Sequence, residues 1–343
     1  MYAAVLHGVR DLRLEEVPDP KPSADEALIR VNATGICGTD IHIFRGEWRT
    51  STPIILGHEF SGIIVEVGRD VRGLSVGDPV VVEPNITCGS CYFCRMSERN
   101  YFCENLEAIG VTINGAFAEY VKARESNIYR IPRDFNLDEA ALIEPLACCV
   151  RGIDQAGIRA GDAVAIVGAG PVGLILLQLA RQAGATMIIQ TDREDARLKL
   201  ASRLGADHVV NIEDEDPVET IRELTGGYGV DVAIEAVGSP EAITQAMEAT
   251  RRGGRLLIFG VSPQEAVWKV KPFELYDKEL TITTSYRSPF TFQRAVKIAV
   301  SRRVKLKPLI SHIFKLKEIH RAFEVAEKRL EGAIKVLVKP EKD

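Results

Sequence analysis

Four of the seven cysteines in this 343-residue chain lie within sixteen positions, in the stretch CGSCYFCRMSERNYFC. They are Cys88, Cys91, Cys94 and Cys103. An odd number of cysteines, mostly gathered in one cluster, is not typical of a secreted disulfide framework. In a reducing compartment, this spacing favours a bound metal ion instead.

A second group of potential metal ligands lies upstream of the cysteine cluster. Cys37 occurs in TGICGTDIHIF, and His58 and Glu59 occur in GHEFSG. Taken alone, a single Cys or His is more often a core residue than a ligand. Together, however, a thiolate, an imidazole and a carboxylate at irregular spacing suit an open catalytic zinc site better than a closed structural one.

A glycine motif indicates a nucleotide site. In VAIVGAGPVGLILLQLA, Gly168, Gly170 and Gly173 directly follow an apolar run and open a predicted helix. A simple tight turn is the alternative interpretation. In this context the first glycine permits the turn, the second lets the backbone approach a pyrophosphate, and the third packs helix on strand. The helix N-terminus would then face the phosphates of a dinucleotide.

The next apolar run, TMIIQT, ends at Asp192, which indicates the type of dinucleotide. A carboxylate there would accept hydrogen bonds from the adenosine ribose and repel the phosphate of NADP. We therefore predict NAD, and NADP remains the alternative because Arg193 follows directly. The predicted cofactor-binding residues are Gly168, Gly170, Pro171, Val172, Gly173, Asp192 and Arg197.

The elements that must position these residues divide the chain. Residues 1–150 read as short strands broken by Gly, Pro and Asp, a pattern that predicts a β-rich, barrel-like domain with long functional loops. Over 151–285, apolar strand runs alternate with helical stretches, which predicts a doubly wound parallel sheet that binds NAD. The closing strand in residues 286–343 has no obvious partner there, so we expect this tail to return to the first domain.

Composition excludes several classes of partner. Lys and Arg number 43 against 48 Asp and Glu, so no general basic field is available for nucleic acid or an anionic membrane. The N-terminal sequence lacks the pattern of a signal peptide. The apolar stretch Ala163–Ala180 is long enough to resemble a membrane span, but its Gly-Pro interruption favours a strand, a turn and a helix. We predict a cytoplasmic protein that binds neither nucleic acid nor membranes.

Taken together, the glycine motif, GHE and the cysteine cluster resemble the zinc-dependent medium-chain dehydrogenase/reductase family, which includes the alcohol dehydrogenases, over essentially the whole chain. The stretch ALIEPLACC places Glu144 in the Glu-Pro-Leu motif of the sorbitol and butanediol dehydrogenase branch. The resemblance implies an α/β protein with a GroES-like β-rich catalytic domain and a Rossmann doubly wound parallel-sheet domain. It also implies two Zn²⁺ per chain, NAD, and a homo-oligomer, either dimer or tetramer.

The resemblance further implies roles for individual residues. Cys37, His58 and Glu59 fall on the catalytic zinc ligands, and Glu144 falls on a carboxylate that ligates zinc directly or through water. The other matched positions are Thr39 and His42 on the proton relay, Asp40 on a carboxylate that orients His58, and Arg287, in SYRSPF, near a substrate-binding arginine.

The cysteine cluster falls where the family carries a structural zinc. Four thiolates complete a tetrahedral zinc and leave no position for substrate, so the densest cluster is not the predicted reaction centre. The family usually has seven residues between the third and fourth cysteines, whereas this chain has eight between Cys94 and Cys103.

The predicted function is NAD-linked oxidation of a secondary hydroxyl on a polyol, sugar alcohol or vicinal diol to a ketone. One alternative is the same chemistry on another alcohol, such as L-threonine. The other is a non-catalytic protein that binds NAD and zinc.

Overall fold

The computed structural model describes residues 1–96 and 100–340, and the chain divides into two units. The first unit combines Met1–Ala147 with Pro289–Asp343, and the second is Cys148–Ser288. The structure thus places the boundaries after Ala147 and after Ser288, where the sequence analysis predicts 150/151 and 285/286.

Strands dominate the first unit and alternate with helices in the second. The strands are β1 (Tyr2–Gly8), β2 (Asp11–Glu16), β3 (Glu26–Gly35), β4 (Ile54–Ile55), β5 (Glu59–Val67), β6 (Pro79–Val82), β7 (Asn85–Ile86), β8 (Glu107–Ala108), β9 (Tyr120–Arg124), β10 (Ile128–Arg130), β11 (Ala163–Val167), β12 (Met187–Asp192), β13 (His208–Asn211), β14 (Val230–Glu235), β15 (Thr250–Ile258), β16 (Thr281–Thr284), β17 (Ile310–Lys315) and β18 (Lys335–Lys339). The α-helices are α1 (Gly38–Phe44), α2 (Tyr92–Arg95), α3 (Leu137–Ala140), α4 (Ile143–Ala156), α5 (Pro171–Gln182), α6 (Asp195–Leu204), α7 (Pro217–Leu224), α8 (Pro240–Ala249), α9 (Pro272–Lys278), α10 (Phe292–Val300) and α11 (Ile319–Lys328).

The first unit is built on a seven-stranded, mostly antiparallel sheet. Its strand order is β10-β6-β5-β3-β18-β17, and β9 also pairs with β3. The closing strand β18 pairs antiparallel with β3, with Leu337 opposite Gly35. Because β5 pairs with β3 at the same end, with Glu59 also opposite Gly35, three strands converge where the candidate metal ligands lie.

Two apolar cores support this arrangement. One lies on the seven-stranded sheet and includes Ile29, Phe60 and Ile64. The other joins the small sheet β2-β1-β4 to α11 and includes Leu6 and Phe323. Burying such side chains stabilises the folded state by roughly 1.5–3 kcal/mol each, so the loops between the strands start from fixed ends.

The second unit is a six-stranded sheet in which every pairing is parallel. The order is β13-β12-β11-β14-β15-β16, so the chain starts in the middle and winds outward in both directions. This confirms the doubly wound sheet predicted from the alternation of strands and helices. The switch of direction falls between β11 and β14, which is where such sheets bind ligands.

The apolar stretch that resembles a membrane span is β11, a glycine turn and α5, as predicted. Among residues 1–96 and 100–340, no helix has both the length and the apolar character needed to cross a bilayer.

Candidate metal centres and nucleotide site

The first candidate metal centre collects Cys37, His58 and Glu59. Cys37 follows β3 and is the N-cap of α1, whereas Glu59 begins β5 and His58 directly precedes it. One ligand atom from each residue lies within 4.8 Å of the others. A soft, a borderline and a hard donor in one cluster fit zinc with a position left open.

Asp40 holds the backbone on both sides of this cluster. Its carboxylate is fully buried, and Oδ2 accepts a hydrogen bond from the Cys37 backbone N–H at 2.8 Å. Oδ1 accepts from the Gly57 N–H at 3.4 Å and lies 3.4 Å from His58 Nδ1. The His58 contact lacks hydrogen-bond geometry, so Nδ1 is buried without a hydrogen-bond partner among the described residues. Asp40 therefore acts on the imidazole chiefly through its charge.

The electrostatics of this site favour a cation. Burial lowers the pKa of His58, but the Asp40 carboxylate and the Cys37 thiolate together raise that pKa well above its ordinary value. A carboxylate and a thiolate that favour the positively charged imidazole would also favour a metal cation. The donor set and the local charge both fit the predicted catalytic zinc.

Glu59 has a partner that sequence reasoning missed. Lys335 Nζ donates to Glu59 Oε2 at 2.6 Å and to the Ile36 carbonyl at 3.2 Å. The two residues are only 4% and 1% exposed. A Cβ at Gly35 would come within 2.3 Å of Glu59 Oε2, so glycine is needed there. A lone lysine inside the apolar run AIKVLV was the available signal, because a buried ammonium requires an anion.

The ion pair holds both charges in place. Burial lowers the pKa of Lys335, but the nearby acidic groups, Glu59 first and then Cys37 and Glu144, raise that pKa overall. One carboxylate oxygen of Glu59 is thus occupied by the ammonium group.

Glu144 lies near the cluster but outside the group of three ligand atoms. It is buried at the start of α4, and its negative charge raises the pKa of both Lys335 and Glu83. Glu83 directly follows β6, and its Oε2 accepts a hydrogen bond from the Tyr129 hydroxyl at 3.4 Å. Burial, with the help of Glu144, raises the pKa of Glu83 to about 7. Sequence reasoning also missed Glu83, whose only signal was an acid at the end of VVVE.

Thr39 and His42 lie three residues apart on α1, which places them on one face of the helix. His42 Nδ1 lies 2.5 Å from Glu47 Oε2, just beyond the end of the helix. Glu47 is a third residue that the motifs did not reveal.

The second candidate metal centre is the cysteine cluster. The sulfurs of Cys88, Cys91, Cys94 and Cys103 all lie within 4.8 Å of one another. Cys103 is buried, and its sulfur accepts a hydrogen bond from the Cys88 N–H at 3.2 Å, despite the eight-residue gap. Hydrogen bonds from Ser90 and the backbone lower the pKa of Cys88 to about 5, whereas burial and the neighbouring thiols Cys91 and Cys103 raise the pKa of Cys94 to about 12, so one thiol of the cluster gives up its proton before the other. Four sulfurs fit a closed tetrahedral zinc.

The candidate nucleotide site lies in the second unit, at the carboxyl end of β11. Gly168 has φ +99°, Gly170 is the N-cap of α5, and Pro171 occupies its first turn. A Cβ at Gly173 would come within 2.0 Å of the Gly168 carbonyl oxygen, which explains the third glycine. Val172 follows at the start of α5, so the helix N-terminus stands directly behind the loop.

Asp192, at the end of β12, is joined to this loop by hydrogen bonds. Its Oδ2 accepts from the Ala169 N–H at 2.6 Å, and its Oδ1 accepts from the Glu194 N–H at 3.0 Å. The carboxylate therefore holds the glycine loop, and each oxygen keeps a lone pair for a ribose hydroxyl. The Arg193 Nε lies 4.0 Å from Glu213, in an exposed pair.

The structure also gives the positions of the two remaining predicted residues. Arg197 is buried on α6. Arg287 follows β16 in the second unit, with φ +60° and its guanidinium 4.6 Å from the Tyr286 ring centre. Their roles in cofactor and substrate binding stay predictions.

The known proteins that this chain resembles include several dehydrogenases. Residues 23–133 match the family model described as alcohol dehydrogenase GroES-like domain, and residues 171–301 match zinc-binding dehydrogenase. Sorbitol dehydrogenase of Bacillus subtilis (strain 168) is 37% identical, over 99% of this chain and 97% of the relative. L-threonine 3-dehydrogenase of the same strain is 38% identical, over 91% of each chain.

A solved structure extends the similarity to the whole fold. A protein described as a zinc-binding dehydrogenase of Sinorhizobium meliloti 1021, bound to NADP, superposes with a TM-score of 0.94. It is 38% identical to this chain, and the alignment covers 99% of both chains.

Proposed function

Because the chain belongs to the zinc-binding dehydrogenases with a GroES-like domain, we propose that it oxidises a secondary hydroxyl of a polyol, sugar alcohol or vicinal diol to a ketone, using zinc and NAD. The family matches confirm the resemblance found in the sequence and its α/β class, a GroES-like domain plus a Rossmann domain. A small-molecule substrate follows from the family.

The cluster of Cys37, His58 and Glu59, backed by the buried Asp40, is the single observation that carries this proposal. When bound, zinc would supply Lewis-acid polarisation of the hydroxyl oxygen, and NAD would supply the acceptor for the hydride. The three side chains would hold the metal, and Asp40 would fix the backbone at Cys37 and Gly57 and act on His58 through its charge.

Other side chains of the first unit balance the charge of the ligands or carry the displaced proton. Lys335 neutralises the buried carboxylate of Glu59, which keeps the total charge of the ligand set low. Glu144 supplies a further carboxylate beside them. Thr39 and His42, on one face of α1, are suited to carry the displaced proton outward, because a hydroxyl and an imidazole both accept and donate.

The cysteine cluster would hold the second zinc and stabilise its own loop. In the second unit, Asp192 supports NAD over NADP, because its carboxylate would repel a ribose phosphate. The NADP-bound relative makes the measurement of both cofactors essential.

Cytoplasmic location and assembly into a dimer or tetramer are also part of the proposal. The sheet of the second unit ends at β16, whose outer edge pairs with no described strand. Nearby, Phe273 and Tyr276 on α9 are strongly exposed, and exposed apolar groups of this size often mark an interface. Light scattering of the purified protein measures its mass in solution.

A substrate panel tests the function. Zinc-loaded protein is assayed for NADH absorbance with sorbitol, arabinitol, 2,3-butanediol and L-threonine, and kcat/KM is compared. The relative with 38% identity favours L-threonine as the second candidate. If kcat/KM is highest for L-threonine, L-threonine oxidation replaces the polyol proposal. If no alcohol supports hydride transfer, a non-catalytic protein that binds NAD and zinc is favoured.

A further inference from the structure

His42 and Glu47 form a contact that the family motifs do not describe. His42 Nδ1 lies 2.5 Å from Glu47 Oε2. The loop after α1 is fixed by its backbone, since the Glu47 and Trp48 N–H groups both donate to the His42 carbonyl, at 2.9 and 3.3 Å. The side chains are 25% and 39% exposed, so water can reach the pair.

We propose that Glu47 is a positioning residue for proton transfer, which fixes the tautomer of His42. The inference rests on the proposed function, because it gives His42 its place on the proton path. An ionised carboxylate only accepts hydrogen bonds, so the proton of this contact belongs to Nδ1. A neutral imidazole with a proton on Nδ1 has its lone pair on Nε2, which becomes the acceptor for the arriving proton.

The surrounding charges hold Glu47 in this role. Arg45, on the same loop, lies 3.7 Å from the other oxygen of Glu47. Its Nε donates to Glu327 of α11 at 2.7 Å, and Arg10 of the β1–β2 turn donates to the same carboxylate at 2.8 Å. Glu327 is therefore neutralised by two guanidinium groups, and Glu47 is the carboxylate that acts on His42.

The proton count balances across one transfer. Nε2 accepts one proton, and the ring becomes an imidazolium that donates from Nδ1 to Glu47. Water then removes one proton from Nε2, and the ring returns to its neutral form with Nδ1 still protonated. The net change is one proton lost by the group that donates to Nε2 and one gained by water, while Glu47 stays ionised and His42 returns to its starting form.

Glu47→Gln tests the proposal, because an amide is neutral and can present either its oxygen or its NH₂ group to Nδ1. Glu15→Gln is the matched control. Glu15 Oε1 lies 2.9 Å from His7 Nε2, and these side chains are 34% and 30% exposed, so the control removes one charge from a similar pair. Thermal melting of both variants checks that the fold is kept.

The first measurement is spectroscopic and needs no turnover. In protein labelled with ¹⁵N-histidine, neutral His42 should be protonated on Nδ1, and Glu47→Gln should shift it to a mixture of both tautomers. The control should leave the His42 signals unchanged. A His42 tautomer that is the same in Glu47→Gln as in the wild type overturns the proposal.

The second measurement is the pH dependence of kcat. Glu47→Gln should lower kcat at neutral pH by about 10-fold, the lower end of the loss seen when the outer partner of a metal-ligating histidine is removed. It should lower kcat less at alkaline pH, where hydroxide can remove the proton directly. An equal loss at every pH indicates a structural role and overturns the proposal. If the tautomer changes but no alcohol is oxidised even by the wild type, the positioning of His42 stands and the proposed function fails.

Discussion

Replacing Glu83 by glutamine should make the first unit more stable at alkaline pH. The pKa of Glu83 is raised to about 7 in the folded protein, mainly because the carboxyl is buried, against an ordinary value of 4.5. Between these two values the folded state keeps a proton that the unfolded state has lost. The free energy of unfolding then falls by about 1.4 kcal/mol for each pH unit.

The difference between the folded and unfolded pKa of Glu83 determines both the direction and the size of the stability change with pH. The carboxyl favours folding fully below the unfolded pKa, and this contribution is lost as the pH rises through the folded pKa. Above it, the partly buried carboxylate costs up to about 3 kcal/mol. Glutamine resembles the protonated carboxyl and still accepts a hydrogen bond from the Tyr129 hydroxyl. The free energy of unfolding of Glu83→Gln should therefore exceed that of the wild type by up to about 3 kcal/mol at alkaline pH and by less than about 1 kcal/mol near pH 5.

Urea unfolding measures this difference. Trp48 lies in the first unit and Trp268 in the second, so a Trp268→Phe background lets fluorescence follow the first unit alone. Glu26→Gln is a control of opposite sign. Burial raises the pKa of Glu26, but its bonds to Lys122 and Ser23 lower that pKa overall, so its removal should destabilise the protein at neutral pH. A difference between Glu83→Gln and wild type that stays constant from acid to alkaline pH would refute the buried-carboxyl argument.

Two further changes test other parts of the structure. Asp192→Ser should improve kcat/KM for NADP relative to NAD by about 10-fold or more, because like charges in contact are costly, and an unchanged preference would contradict the assignment of Asp192. Lys335→Met leaves Glu59 buried without its partner and should lower the free energy of unfolding of metal-free protein by about 3–5 kcal/mol. Lys339→Met, which breaks a partly exposed pair on the same strand, should cost no more than about 1 kcal/mol, and equal losses would contradict the role of burial.

Local spacing explains why so much of the candidate site could be predicted. The ligand types in GHE and in the cysteine cluster are neighbours in sequence, and the glycine positions follow from turn geometry near Gly168 and Gly173. The alternation of strands and helices likewise determined the parallel sheet. None of these inferences required knowledge of distant contacts.

The missed residues depend on tertiary structure. Lys335 is 276 positions from Glu59, and only the pairing of β18 with β3 brings them together. The pKa of Glu83 depends on burial and on Glu144, neither of which is visible in a strand pattern. Glu47 follows His42 by five positions, a spacing that does not bring two side chains together on a helix. The two side chains meet only because α1 ends at Phe44 and the chain then turns back toward His42.

The two candidate zinc centres can be separated by what their loss does. Cys37→Ser should remove the metal of the open site and most of the turnover, while the melting temperature stays close to that of the wild type. Cys91→Ser should lower stability or assembly first and activity only as the fold fails, because a closed site contributes folding free energy. Each variant should lose one of two zinc ions per chain.

Cys103→Ser is the sharper test of the closed site, because of the eight-residue gap. The buried sulfur lies within 4.8 Å of the other three and accepts the Cys88 N–H, so its loss opens the tetrahedron as fully as the loss of Cys91. Cys103→Ser should therefore match Cys91→Ser in zinc content and in melting temperature. If it instead retains two zinc ions and melts like the wild type, Cys103 is no ligand, while the assignment of Cys37, His58 and Glu59 is unaffected.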